Sequence, residues 1–290
     1  MTQSSYPSVH AVTGATGAQG GATARALLTL GHHVRALTRD PESIAAKELA
    51  ELGADVVRAD FDDPGSLDAA LAGADGLFAM STPFGTDLDT EVRQSVTLLD
   101  RAKAAGVGHI VYTSATNADR ATGIPHFDTK YRVERHLRDL GHDWTVIGPA
   151  AFLDNWTSGW SMEGLRNGVF ALPMPADRLL AVITAADIGA FAALALDRRA
   201  EFAGRRVDIA SDERTPAEIG AAIAAASGWE LVYEEVPLDV TRRYSTDLAA
   251  MFGYFTETGM DVDVAALRRD HPQVGWHSVE DWAAGVDWEG

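Results

Sequence analysis

No cysteine occurs anywhere in the 290 residues. Disulfides, thiolate catalysis and cysteine-based zinc sites are thereby excluded, which fits a cytoplasmic protein. Basic residues are scarce: 24 Lys and Arg stand against 42 Asp and Glu, a formal net charge of −18. A surface of that sign disfavours contacts with phosphate backbones, so nucleic acid is not an expected partner. Most of the acidic excess reads as solubility. No apolar run reaches the roughly 20 residues of a membrane-spanning helix, and no membrane partner is expected. The opening MTQSSYPSVH has neither the basic head nor the apolar stretch of a secretory signal. Internal repeats, low-complexity tracts and linkers are absent as well.

What is present is an ordinary globular composition, 46% hydrophobic, on a chain long enough for one large α/β domain with a smaller lobe. From residue 8 to about 150, short apolar runs alternate with longer amphipathic ones. Strands are expected at Val9–Thr13, His33–Thr38, Asp55–Ala59, Gly76–Met80, His109–Thr113 and Trp144–Ile147. Helices are expected at Ala22–Leu30, Pro41–Leu52, Pro64–Leu71, Asp89–Ala105 and Asp128–Leu140, with Pro41 and Pro64 in first turns, where a missing N–H costs nothing. Such alternation predicts an α/β fold, a Rossmann-type doubly wound parallel sheet with helices on both faces. After Pro149 the rhythm changes to an aromatic and glycine-rich stretch. We therefore expect a dinucleotide-binding domain over 1–150 and a smaller α+β substrate lobe over 151–290, some of whose elements return to the sheet.

The stretch VTGATGAQGG, residues 12–21, places Gly14, Gly17 and Gly20 three apart between the first strand and the first helix. Glycines there permit a tight turn, a close backbone approach to a pyrophosphate, and close helix–strand packing. The helix N-terminus then offers its amides and its dipole to the phosphates. The second strand ends VRALTRD. An acid at that position suits the ribose hydroxyls of NAD, whereas an arginine suits the 2′-phosphate of NADP. Arg39 therefore points to NADP(H), with Thr38 as a hydroxyl partner, and Asp40 is the competing acid if the strand ends one residue later. Asp60, closing the third strand, is expected near the adenine. Asp62 and Asp63 precede Pro64 and a helix, so they read as caps and not as metal ligands.

Short-chain reductases commonly use Ser, Tyr and Lys, with the lysine four residues after the tyrosine and so on one helix face. Here Lys130 is present in PHFDTKYRVERHL, but His126 occupies the tyrosine position, and Ser114 in VYTSAT occupies that of the serine. His126 either donates a proton to substrate or serves the helix start; Ser114 either polarises substrate or bonds the backbone.

Taken together, TGATGAQGG, TRDPESIAAKEL, GVGHIVYTSATNAD, HFDTKYRVE, PAAFLDNW and AVITAADIGAFAA resemble the NmrA-like family of atypical short-chain dehydrogenase/reductases. The branch is the one holding the NADPH sensor HSCARG and bacterial quinone reductases, and the tail VPLDVTRRYSTDLAAMFGYF also fits it. The resemblance implies that Gly14, Thr16, Gly17, Gln19 and Gly20 line the pyrophosphate and that Arg39 meets the 2′-phosphate. It places Pro83 and Phe84 near the nicotinamide, Lys130 on its ribose, and Asn155 and Trp156 at the entrance of the substrate lobe. Ala18, Phe61, Ser81, Thr82, Pro149 and Phe152 complete the expected cofactor contacts, and Phe84, Asn155 and Trp156 the expected substrate contacts. Phe84, Phe152, Trp156 and Trp160 either line an apolar pocket or form core between lobes. Gly148 stands where relatives often carry arginine, which alters either the pocket or an internal salt bridge. Two functions follow from the resemblance: an NADPH-dependent reductase of a quinone, conjugated carbonyl or imine, or an NADPH sensor acting through a protein partner. A homodimer is compatible with both.

Overall fold

The computed structural model describes residues 7–82 and 87–289, the side chain of Trp160 excepted. The first half alternates strands and helices as β1 (Val9–Val12), α1 (Ala18–Thr29), β2 (His33–Thr38), α2 (Ile44–Glu51), β3 (Asp55–Arg58) and α3 (Pro64–Leu71). It continues through β4 (Gly76–Ala79), α4 (Leu88–Ala104), β5 (His109–Thr113), α5 (Pro125–Asp139) and β6 (Asp143–Pro149). Next come β7 (Ala151–Phe152), α6 (Gly159–Arg166), β8 (Val169–Leu172), β9 (Leu180–Ile183), α7 (Ala185–Asp197), α8 (Arg199–Phe202) and β10 (Arg205–Ile209). The chain ends with β11 (Asp212–Arg214), α9 (Pro216–Ser227), β12 (Val232–Glu235), α10 (Leu238–Tyr244), α11 (Thr246–Glu257), α12 (Val264–Asp270) and α13 (Val279–Gly285).

Among the described residues, seven strands form one sheet in the order β10-β6-β5-β4-β1-β2-β3, every pair parallel. The architecture is Rossmann-like. Strand periodicity explains why both faces are covered. Ala11, Leu77, Ile110 and Val146 pack into the layer with α3, α4 and α5, while the next residues, Val12, Phe78, Val111 and Ile147, face α1 and α7. Each Val, Leu, Ile or Phe among them contributes about 1.5–3 kcal/mol on burial. Helices α1 and α7 approach unusually closely: a Cβ on Gly189 would lie 2.4 Å from the Ala22 carbonyl carbon.

Later elements build a three-stranded sheet, β11-β9-β7, and a parallel pair, β12-β8, around a separate aromatic core that includes Trp156, Phe170, Phe255 and Trp282. The chain nevertheless returns to the large sheet, since β10 pairs with β6 from Arg205↔Thr145 to Ile209↔Pro149. Three helix starts differ from expectation: α1 begins at Ala18 and not Ala22, α5 at Pro125 and not Asp128, and α2 at Ile44. Pro41 does not open α2; Ser43 caps it, because Asp40 and Ser43 first close a turn in which Asp40 Oδ1 accepts the Glu42 amide and Ser43 Oγ donates to the Asp40 carbonyl. Pro64 does sit in the first turn of α3.

Candidate functional site

The strand order reverses between β1 and β4, where a doubly wound sheet opens a crevice at its carboxyl edge. A cavity of about 590 Å³ lies there, lined by the residues that follow four successive strands. Gly14 and Thr16 come from β1, Thr38 to Asp40 from β2, Asp60 to Asp62 from β3, and Met80 to Thr82 from β4. Thr13 joins the two central strands: its amide donates to the Phe78 carbonyl (3.0 Å), and its Oγ1 accepts the Met80 amide (2.8 Å).

The glycine spacing has a geometric cause. Gly14 has φ +60°, and a Cβ on it would fall 2.4 Å from Met80 Sδ. Gly20 admits no side chain either, for its Cβ would lie 2.3 Å from the Gly14 carbonyl oxygen. Gly17 turns its amide onto that same oxygen (2.9 Å) and precedes α1 without any side-chain cap. The amides of Ala18, Gln19 and Gly20 thus open the helix without a partner among the described residues. Uncapped first-turn amides plus the helix dipole suit an anion. Gln19 is held to β5, its Oε1 accepting from Thr113 Oγ1 at 2.8 Å.

At the far end of the cavity, Arg39 is exposed and pairs with no described carboxylate. Asp40, the competing acid, spends its Oδ1 on the Glu42 amide (3.0 Å), and Thr38 Oγ1 accepts the Asp40 amide (3.2 Å). The arginine is thus a cation with no ion-pair partner among the described residues, beside an acid already turned toward its own loop. Of the acidic trio, Asp60 Oδ1 accepts the Asp62 amide and Asp63 caps α3. Asp62 does not cap; it pairs instead with Arg93 Nη1 (2.8 Å) and Gln94 Nε2 (2.9 Å) on α4. Phe61 joins the lining, and the Ser81 backbone reaches from it to Lys130.

Lys130 is buried, and its Nζ donates to the Ser81 carbonyl (2.6 Å) and pairs with Glu91 Oε1 (2.7 Å). Glu91 is fully enclosed and also accepts from Thr129 Oγ1 (3.2 Å) and Ser81 Oγ (3.3 Å). An ammonium has three protons, so one donor remains after these two contacts. Glu91 was not singled out by sequence reasoning: it looks like an ordinary acid in the first turn of α4, and only the tertiary contact across 39 positions gives it a role.

Ser114 points elsewhere. Its amide donates to the Ile147 carbonyl, and its Oγ donates to Glu134 Oε1 at 2.5 Å. Glu134 also meets Arg138 (3.0 Å) and Arg206 (3.2 Å), and Arg206 further holds Asp208 and the Ala115 carbonyl. Burial pushes the Glu134 and Asp208 carboxyls up, with Arg206 opposing the rise in both. Gly148 is what lets this cluster form. A Cβ there would sit 2.0 Å from Asp208 Oδ1, so the internal salt bridge runs through Arg206 from the neighbouring strand.

His126 opens α5, and its ring stands beside Asp247 of α11, Nδ1 to Oδ2 being 2.5 Å. Pro149 closes β6, and its carbonyl accepts the Thr116 amide; Phe152 packs half-buried against the α1–α7 layer. Asn155 is exposed in a short 3₁₀ turn. Trp156, expected among substrate contacts, is instead core: it is 7% exposed and packs edge-on against Phe170 and Trp282. Pro83, Phe84 and the Trp160 side chain lie outside the described residues.

Fold and site together define a doubly wound α/β protein with an anion cradle at its sheet switch point. The chain belongs to the NmrA-like family, whose model matches residues 8–283. It is 37% identical over 161 residues to the NmrA-like family domain-containing oxidoreductase FrzB of a Cladobotryum species, an alignment covering 50% of this chain and 47% of that relative. The chain thus spans about half the length of that relative. It is 31% identical to the (4-alkanoyl-5-oxo-2,5-dihydrofuran-3-yl)methyl phosphate reductase of Streptomyces griseus, covering 94% of this chain and 96% of that one. Among solved structures, NmrA, a negative transcriptional regulator in complex with NADP, shares the fold with a TM-score of 0.79 at 23% identity, over 99% of both chains. No helix among the described residues is long and apolar enough to cross a membrane.

Proposed function

We propose that this protein is an NADPH-dependent oxidoreductase that reduces a small electrophile: a quinone, a conjugated carbonyl or an imine. The observation that carries the reading is a single cavity lined at its first strand by the Gly14–Thr16 turn that leads into an uncapped helix, and at its second by Arg39, which pairs with no described carboxylate. Anion sites after two neighbouring strands suit a pyrophosphate and a 2′-phosphate on one dinucleotide. Gly14, Thr16, Gly17, Ala18, Gln19 and Gly20 would hold the pyrophosphate, Arg39 and Thr38 the 2′-phosphate end, and Asp60 and Phe61 the adenine. When bound, the cofactor supplies a hydride. Lys130, fixed by Glu91 and the Ser81 carbonyl, would offer its remaining proton to the nicotinamide ribose, with Ser81, Thr82, Pro83, Pro149 and Phe152 around it. The substrate would enter beside Phe84 and Asn155, where His126 stands at the mouth of α5. Support for a reductase also comes from FrzB, named an oxidoreductase, and from the Streptomyces relative, whose named substrate carries a conjugated ring carbonyl.

A second reading is favoured by one observation. The position of the usual tyrosine is a histidine already engaged by Asp247, which suits a sensor whose cofactor orders a partner surface. NmrA itself is described as a transcriptional regulator. The test follows NADPH absorbance while the protein meets quinones, enones, aldehydes and imines, with NADH in parallel. Loss of NADPH with one acceptor class, faster than with NADH, is the expected result. Tight NADPH binding without loss across the panel overturns the reductase and leaves the sensor.

A further inference from the structure

The N-terminus of α11 lies against the first turn of α5. Asp247 Oδ1 accepts the backbone amide of His126 (3.0 Å), while Oδ2 stands 2.5 Å from His126 Nδ1, a short ion-pair approach that is off-axis for a hydrogen bond. Two flanking contacts hold α11 against α5 and the segment before it. Phe127 and Phe255 lie with ring centroids 6.3 Å apart, and Asn117 Nδ2 donates to the Tyr254 hydroxyl (3.4 Å). Burial would raise the Asp247 carboxyl, yet its contacts with His126 outweigh burial and hold it below the ordinary carboxylate range. His126 lies one turn before Lys130, so both belong to one face of α5. The imidazole is 18% exposed, and the contacts of His126 with Asp247 run through its backbone amide and Nδ1, with no described partner on Nε2.

We propose that Asp247 is a positioning residue: it turns His126 Nδ1 toward its carboxylate and presents Nε2 as the proton donor to the substrate. This deepens the reductase reading and rests on it. In the step, the electrophilic carbon of the substrate gains the hydride that NADPH gives up in becoming NADP⁺. The π pair moves onto the oxygen or nitrogen. That atom takes the proton from Nε2, whose N–H bond breaks, and the neutral ring recovers a proton from solvent. A carboxylate beside Nδ1 fixes the ring, and the form that donates at Nε2 is the imidazolium, which holds a proton on each nitrogen. An imidazole without that anchor rotates, and its Nε2 no longer points reliably at the reacting atom.

The decisive variant is Asp247→Asn, which keeps an oxygen for the His126 amide, removes the charge and puts an NH2 donor in place of the oxygen beside Nδ1. Its kcat should fall by about 10- to 100-fold, the scale of a mispositioned general acid. KM and the NADPH dissociation constant should stay within roughly twofold, as expected when only a transition-state contact is lost. His126→Gln should lose as much, the double variant should lose no more, and Asp247→Glu should recover part of the rate. Imidazole ¹⁵N spectra supply a readout independent of turnover: the neutral ring of His126 should carry its proton on Nδ1 in the wild type and shift toward Nε2 in Asp247→Asn. Unchanged kcat in Asp247→Asn overturns the proposal, as does multiplication of the single losses in the double variant. If NADPH binds and no acceptor is reduced, the reductase reading fails and the donor role falls with it. The spectra then show whether Asp247 still sets the ring, and an unaltered His126 signal in Asp247→Asn overturns that part too.

Discussion

The sharpest stability prediction concerns the edge of the sheet opposite the cavity. In the parallel register of β1, β4 and β5, His10 is paired with Gly76 and Gly76 with His109, so two histidines flank one glycine on the same face. Gly76 has no room for more: its Cβ would lie 2.6 Å from His10 Nδ1. Both rings are buried, at 3% and 2% exposure. Burial, with the neighbouring His32 acting in the same direction, pushes His10 down to about 4; burial, with Arg199, pushes His109 down to about 4 as well. Each ring is therefore carried neutral in the fold and takes up its proton more readily in the unfolded chain. A depressed histidine contributes its full stability above the unfolded value of about 6.5 and loses it as pH falls toward the folded value.

The shift is worth about 3 kcal/mol for one ring at about 1.4 kcal/mol per pH unit, and about 2 kcal/mol of that is already lost at pH 5. Against a typical total of about 5–15 kcal/mol, this is a large fraction. The perturbation that isolates it is His10→Leu. Neither ring nitrogen of His10 has a partner among the described residues, so leucine forfeits no hydrogen bond there. At pH 7 the variant should be at least as stable as the wild type, because an unsatisfied buried polar ring is replaced by an apolar side chain of similar size. Urea unfolding followed by tryptophan fluorescence at pH 7, 6 and 5 should show a shallower decline for His10→Leu, by about 2 kcal/mol at pH 5. Comparing the two proteins cancels the relief of acidic self-repulsion that accompanies falling pH in a chain of net charge −18. Parallel pH curves for the two proteins would refute the reasoning.

Three further substitutions probe the rest of the molecule. Arg39→Ala should weaken NADPH binding by about 10- to 100-fold while leaving NADH nearly unchanged, since a charge-assisted contact to one phosphate contributes about 1.5–3 kcal/mol; equal losses for both cofactors by fluorescence titration would count against the assignment of Arg39. Gly20→Ala forces its Cβ against the Gly14 carbonyl oxygen, so it should abolish cofactor binding in the same titration, with helix α1 displaced from the turn. Arg206→Leu leaves Asp208 without its closest cation and Glu134 with Arg138 alone, and should cost about 3–5 kcal/mol in urea unfolding at pH 7. A loss below about 1 kcal/mol would mean that these carboxyls are neutral in the fold.

How much of this was legible in the residues depends on the distance over which each feature is specified. The cradle is local: Gly14, Gly17 and Gly20 sit between one strand and one helix, and Gly14 and Gly20 have no room for a Cβ. The α/β order is legible for the same reason, because a strand or helix writes its buried face into its own period. Lys130 was visible from helix spacing and from resemblance. Its partner was not, since nothing around Glu91 separates a buried carboxylate from a solvated acid on a charged helix. Pro41 misled because proline is equally at home in the turn that Asp40 and Ser43 build before α2. For Trp156 the sequence left pocket and core both open, because an aromatic in a cleft-forming segment has the same signature whether it faces a ligand or the core. The cluster of Glu134, Arg206 and Asp208 shows the limit most plainly. Gly148 reads as a missing arginine until β10 is seen beside β6, where Arg206 enters from the neighbouring strand and the glycine is the space its Asp208 partner occupies. A side chain lost at one position and supplied from another, 58 residues on, leaves no local trace. Only the sheet register joins them.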